Sequence, residues 1–179
     1  MDLAPILAAG VPLLGWTTHG TWLARRLATA RRDPLTGLLT RDGFTTRAER
    51  LIRNHPDRAT VLLVDLDDFK TVNDTHGHAA GDAVLTATAQ RLTTWCGPHG
   101  LVARLGGDEF VAVALDSADR IPQLHTALRR PVDVGGLVLD VSASVGASRP
   151  AALLLTEALS AADRDMYARK PGGRTSRRR

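Results

Sequence analysis

Aromatic side chains are scarce: Phe, Trp and Tyr together make up 4% of the 179 residues, so any core must be aliphatic and alanine-rich. There is a single cysteine, Cys96. One cysteine excludes both a disulfide framework within the chain and a cysteine-based zinc site, and it fits a reducing compartment. The six histidines are scattered. His76 and His78 form a pair with no third ligand at a familiar zinc spacing, which points to a loop role. No internal repeat is visible, and no low-complexity stretch apart from an arginine-rich end. No basic region precedes the apolar N-terminal run, so a cleaved secretory leader is not expected. What is present is ordinary for a folded protein. Hydrophobic residues are 44% and charged residues 23%, a balance that argues against disorder. The length suits one domain and an appendage.

The formal net charge of +4 hides a division. Residues 1–32 hold four Arg and one Asp, and residues 164–179 hold seven Arg or Lys and one Asp. The body between them is therefore acidic. A basic balance usually points to nucleic acid or anionic lipid, but here only the ends are basic, and no nucleic-acid partner is expected.

Residues 3–24 contain no Asp, Glu, Lys or Arg. That length suffices for about one membrane crossing at 1.5 Å per residue. Arg25, Arg26, Arg31 and Arg32 follow, which by the positive-inside tendency places the rest in the cytoplasm. Pro5, Pro12 and the cluster Thr17, Thr18, His19 and Gly20 weaken a spanning helix. The other reading is a helix that packs on the domain or pairs with a second copy. Residues 25–32 continue as helix until Asp33-Pro34, because the residue before proline disfavours the α region.

Beyond residue 33 the pattern predicts an α+β domain. Residues 33–37 form a turn. A helix starts near Asp42, its expected N-cap, with Phe44, Ala48, Leu51 and Ile52 on one face. A strand follows over 59–67, then a short turn or helical piece over 69–73. An amphipathic helix covers 82–95, with Val84, Leu85, Thr88, Leu92 and Trp95 inward. Two hairpin strands cover 101–105 and 110–115, and a helix capped by Ser117 covers 117–129. A second hairpin, 132–134 with 137–146, turns at Gly135-Gly136. The last helix covers 153–169 and a basic tail follows. The order β-α-β-β-α-β predicts a mainly antiparallel sheet with helices on one face.

Two stretches carry the chemistry. Residues 61–64 form an apolar, β-branched run that ends in Asp65-Leu66-Asp67-Asp68. Residues 104–110 read RLGGDEF, and Gly106-Gly107 supplies the positive φ that a tight hairpin needs. If the first strand ends beside that hairpin, Asp65, Asp108 and Glu109 converge at one sheet edge. Alone, the first stretch reads equally as a solvated strand end, and the second reads more readily as an ordinary polar hairpin. Together they would gather negative charge that requires a counter-charge. The simplest is an oxygen-loving divalent cation, and Mg²⁺ takes one or two carboxylates plus substrate phosphates.

These residues resemble the GGDEF family, the diguanylate cyclases that make cyclic di-GMP from two GTP. The resemblance extends from Asp33 to about Arg174. Asp33-Pro-Leu-Thr-Gly-Leu, with Arg41, is similar to the family's opening turn. Asp65-Leu-Asp-Asp-Phe-Lys with Asn73-Asp74, and Gly77-His78 with Gly81-Asp82, resemble its middle block. Ser144-Val-Gly-Ala resembles its late strand, and Met166-Tyr167 with Lys170, Gly173 and Arg174 its final helix end. The resemblance implies the nucleotide-cyclase fold, shared with the polymerase palm: a central, mainly antiparallel sheet flanked by helices and preceded by an N-terminal helix. It implies Mg²⁺ (or Mn²⁺) held by the carboxylates of Asp65 and Asp108 and the carbonyl of Leu66. Glu109 holds a second ion or assists deprotonation. It further implies guanine contacts at Asn73 and Asp82 and triphosphate contacts at Lys170 and Arg174, with Gly106 and Gly107 leaving room for the nucleotide. Lys70 is a further candidate for phosphate. Taken alone, Asp82 would read as a helix cap and Asn73 as a turn residue. Asp67, Asp74, Gly81 and Arg104 read as structural or supporting.

The implied activity is condensation of two GTP to cyclic di-GMP and pyrophosphate by a homodimer, each domain binding one GTP. The alternative is a catalytically silent GGDEF module that binds GTP or a protein partner. A third reading is a membrane-tethered interaction protein, with contact through residues 3–24. Departures from the family pattern are Thr40, Asp68, Arg169, Pro171 and Thr175, and they bear on affinity. The family's inhibitory product site requires Arg and Asp where Gly97 and Gly100 stand, so feedback through that site is not expected.

Overall fold

The computed structural model describes residues 31–150 and 154–169. Helix α1 spans Arg41–Asn54, β1 Ala59–Leu66, α2 Phe69–His76 and α3 His78–Cys96. The hairpin strands are β2, Leu101–Gly106, and β3, Glu109–Leu115. A 3₁₀ turn at Ala118–Arg120 leads into α4, Ile121–Leu128. Strands β4, Val132–Val134, and β5, Leu137–Leu139, precede β6, Ala143–Ser148, and α5, Leu155–Arg169.

The main sheet has the order β2-β3-β1-β6, and every neighbouring pair is antiparallel. Strand β1 lies inside it, which is why it reads as an unbroken apolar run rather than an alternating one. Its side chains divide between two cores. Leu62, Val64 and Leu66 join Phe110, Ala112 and Ala114 under α3 and α4. Val61, with Val111 and Val113, packs on Phe44, Ala48 and Ile52 of α1 and on Leu155 and Ala158 of α5. Helices therefore flank both faces, not one. Each strand alternates inward positions on its two sides, and both sets are apolar.

Other expectations shift in register. Asp42 is not the cap of α1. Thr40 takes that place, its hydroxyl accepting the Gly43 N–H at 3.4 Å. Ser117 caps nothing: its hydroxyl is buried with no hydrogen-bond partner, and the chain makes a 3₁₀ turn before α4. The expected second hairpin is divided. β4 and β5 form a separate two-stranded ribbon, while β6 pairs with β1. Gly146 of β6 is a close approach, since a Cβ there would stand 1.9 Å from the Ala162 carbonyl oxygen of α5. Its neighbour Ala147 donates its N–H to the Asp165 carboxylate at 3.0 Å.

At the end of α3, Trp95 donates its ring N–H to the Arg120 carbonyl at 3.0 Å, and the Arg120 guanidinium lies over the indole. Cys96 beside it is 8% exposed. Burial pushes its thiol up to about 12, against the opposing charge of Arg120.

Among the described residues no helix is long and apolar enough to cross a membrane. Residues 3–24, where the sequence places a membrane-length segment, lie outside the described residues, as does the basic tail.

Candidate active site

Strand pairing brings the two acidic stretches together. Asp65, next to last in β1, is opposite Glu109 of β3 on one side and Ser144 of β6 on the other. The Leu66 N–H donates to the Asp108 carbonyl at 3.4 Å. All three carboxylates therefore sit at one end of the sheet, as the sequence predicts. By strand alternation Asp65 and Glu109 share the face of Val61, Val111 and Val113, toward α1 and α5. Both line a cavity of about 470 Å³ between those helices, whose walls include Phe44, Thr45, Leu159 and Asp163. Asp108 is in the turn and does not line that cavity. Among the described residues no three His, Cys, Asp or Glu gather as a ready-made metal cage. What the strands supply is a carboxylate pair beside open volume. That suits Mg²⁺, which completes its octahedron with water and phosphate oxygens rather than with protein alone.

The signature turn is set by its glycines. Gly106 pairs with Glu109, so the two turn residues are Gly107 and Asp108. Gly106 has φ 147° and Gly107 φ 52°, backbone that side chains other than glycine's rarely adopt. A Cβ at either position would meet nothing within 4 Å. Conformation, not crowding by protein, requires glycine here, and the space above the turn is open.

Arg104 braces this turn. Its Nε and Nη2 donate to the Gly107 carbonyl at 2.9 and 2.7 Å, while Nη1 reaches the Asp33 carboxylate at 3.2 Å. Asp33 also accepts the N–H and hydroxyl of Thr36 at 2.8 and 2.6 Å. Burial pushes the Asp33 carboxyl up. The two Thr36 hydrogen bonds and the Arg104 guanidinium outweigh it, holding the group below its usual value. The opening turn of the domain is thereby tied to the signature turn.

Asn73 and Asp82 lie on successive helices. Asn73 is on α2, and its side chain rests against Gly81 of α3, where a Cβ would stand 2.0 Å from Asn73 Oδ1. Asp82 is the next residue, exposed and inside α3. It is not a helix cap, because α3 begins at His78 after Gly77. Lys70 is exposed in the first turn of α2. Lys170 and Arg174 fall beyond the described residues. Asp68, outside the family pattern, precedes α2 with φ 54°.

One arrangement has no signature in the sequence. Ser142 and Ser144 donate their hydroxyls to the two carboxylate oxygens of Asp67, at 2.8 and 2.7 Å. At the end of α3, Gly100 is pressed against Cys96, 2.6 Å from where its Cβ would meet the Cys96 Cβ. Packing alone thus accounts for one of the two glycines at the place of the family's product site.

The sequence model described as diguanylate cyclase, GGDEF domain, matches residues 30–176. A 19.3 kDa protein in the repSA 5′ region of Streptomyces ambofaciens is 60% identical over 172 residues, covering 93% of this chain and 92% of that one. The diguanylate cyclase DgcN of Escherichia coli is 44% identical over 109 residues, 59% of this chain and 27% of that one. The chain thus spans about a quarter of that cyclase. Among solved structures, a sensory box/GGDEF family protein from Caulobacter crescentus superposes with a TM-score of 0.69 at 34% identity, over 77% of this chain and 96% of that one.

Proposed function

The chain belongs to the GGDEF domain family of diguanylate cyclases, and from that premise we propose that it condenses two GTP molecules into cyclic di-GMP and pyrophosphate. The observation that carries this reading is the register pairing of Asp65 with Glu109 on a face that opens into a cavity. Two carboxylates from distant parts of the sequence are fixed within reach of one ligand. In the reaction a 3′-hydroxyl attacks an α-phosphate, and the protein's share is positioning and neutralisation of charge. Asp65, the Leu66 carbonyl and Asp108 would hold Mg²⁺ or Mn²⁺, with Glu109 holding a second ion or taking the hydroxyl proton. The bound ion would supply charge neutralisation at the phosphates and a more acidic attacking hydroxyl.

Guanine would be read at the junction of α2 and α3. An Asp82 carboxylate accepts from the two donors on the guanine edge, and Asn73 adds an amide with both donor and acceptor. Adenine presents a different donor pattern there. Lys170 and Arg174, directly after α5, would contact the triphosphate, with Lys70 as a further cation. One domain presents one GTP, so product needs two domains face to face, and the N-terminal segment is the proposed pairing element. Feedback through the family's product site would be missing, since Gly97 and Gly100 lack the required side chains.

The test uses the purified full chain with GTP and Mg²⁺, with cyclic di-GMP and pyrophosphate as readouts. Glu109→Ala is expected to lose at least about a hundredfold in rate with its melting temperature kept. GTP binding without product in the wild-type chain would favour the silent-module reading instead.

A further inference from the structure

The β1 ladder ends at Leu66, paired with Ala143. Asp67 is the first residue beyond it. Its N–H donates to the Ser142 carbonyl at 3.0 Å. Its Oδ2 accepts the Ser142 hydroxyl at 2.8 Å and its Oδ1 the Ser144 hydroxyl at 2.7 Å. Both carboxylate oxygens are therefore engaged by the chain entering β6. The next residue, Asp68, takes a left-handed backbone, φ 54°, and begins α2 with no side-chain cap. Such a conformation in a non-glycine residue persists where the surroundings over-determine it. The grip on Asp67 lies one residue before it. Farther along, the Asn73 side chain of α2 lies against Gly81, and Phe69 and Val72 pack on the core.

We propose that Asp67 is a positioning residue for the nucleotide: gripped by Ser142 and Ser144, it fixes the turn from β1 into α2 and holds Asn73 at a set reach from Asp65. The inference rests on the reading of the site as one for GTP. It separates two effects. Asp65 stays in the ladder between Glu109 and Ser144 whether or not the grip is intact, so the reacting end keeps its geometry. The turn that carries α2, and with it the guanine end, is what loosens. KM therefore rises while kcat is kept. A merely structural role would reduce the folded fraction, lowering apparent kcat and leaving KM alone.

The experiment compares the wild-type full chain with Asp67→Ala, the double variant Ser142→Ala/Ser144→Ala, and Ser142→Thr, which keeps a hydroxyl. GTP kinetics with Mg²⁺ are read beside equilibrium binding of a non-hydrolysable GTP analogue. Expected are a rise in KM and a loss of analogue affinity of about tenfold in the two Ala variants, with kcat within about threefold. Ser142→Thr stays near wild type. An unchanged KM and affinity, or a fall in kcat alone, overturns the proposal. If the wild-type chain makes no cyclic di-GMP, the cyclase reading fails, and analogue binding still decides: weaker binding in the Ala variants upholds the grip and equal binding overturns it. A wild-type chain that binds no analogue overturns both. Should Asp67→Ala fail to fold, Ser142→Ala, at a half-buried site, carries the same test.

Discussion

A methyl group added at Gly81 would stand 2.0 Å from Asn73 Oδ1 and 3.2 Å from Phe69 Cζ. The first obstacle is the tip of a side chain that can rotate away. The second needs only a small adjustment. Alanine is also favoured over glycine inside a helix by about 0.5–1 kcal/mol. Gly81→Ala should therefore leave the melting temperature within a few degrees of wild type while displacing Asn73. GTP affinity, measured by calorimetry, should fall about tenfold, or about 1.4 kcal/mol. Equal affinity would remove Asn73 from the guanine site. At this scale the sequence is legible where chemistry is local or the resemblance supplies it: Asp65 and Glu109 do meet, and the signature glycines do adopt positive φ. It is not legible where partners are remote. The hydroxyls that hold Asp67 lie 75 and 77 positions away, and no spacing rule announces them. Nor is a cap settled by residue type. Both Thr40 and Asp42 suit the role, and the cap sits two residues earlier than the periodicity suggests.

Among elements, the link between the opening turn and the signature hairpin has a pH signature. The Asp33 carboxyl is held below its usual value by Thr36 and Arg104, which outweigh its burial. A group with a lowered folded pKa adds stability that is fully present above its unfolded value, here 3.8, and is lost as pH falls through the lower folded value. Asp165 acts in the same direction. Burial raises its pKa, while the Ala147 N–H and Arg169 lower it further. The contribution of these two carboxylates should hold steady on acidification to about pH 4 and drop below it. Asp33→Asn should be less stable at neutral pH and show a shallower acid limb in thermal melts from pH 3 to 6. An identical limb would mean that Asp33 contributes none of it. The elements themselves were largely readable from periodicity. The placement of β6 was not, because a short ribbon precedes it and both segments look like one strand in sequence. The covering of both sheet faces was not either, since a central strand buried on two sides hides which face each helix takes.

For the whole molecule, the proposed site in one domain would present one substrate, whereas the proposed product contains two. Activity per chain should therefore rise with protein concentration until pairing saturates, measured as cyclic di-GMP formed per chain across a dilution series. A constant specific activity down to nanomolar protein would mean a pair that does not come apart. The same rate from chains shown to be monomeric would sink the face-to-face arrangement. The family was legible: the motifs that suggest it, from Asp33 to Arg174, fall within residues 30–176, where the chain matches that family. The geometry of the proposed pair was not, because it would belong to two chains and no single sequence encodes it locally. The lone thiol, finally, has a practical use. With Cys96 8% exposed and its pKa near 12, almost no thiolate exists at neutral pH to attack a maleimide. The native protein should resist dye conjugation, so a cysteine introduced on the surface could be tagged without background and the approach of two copies followed by energy transfer.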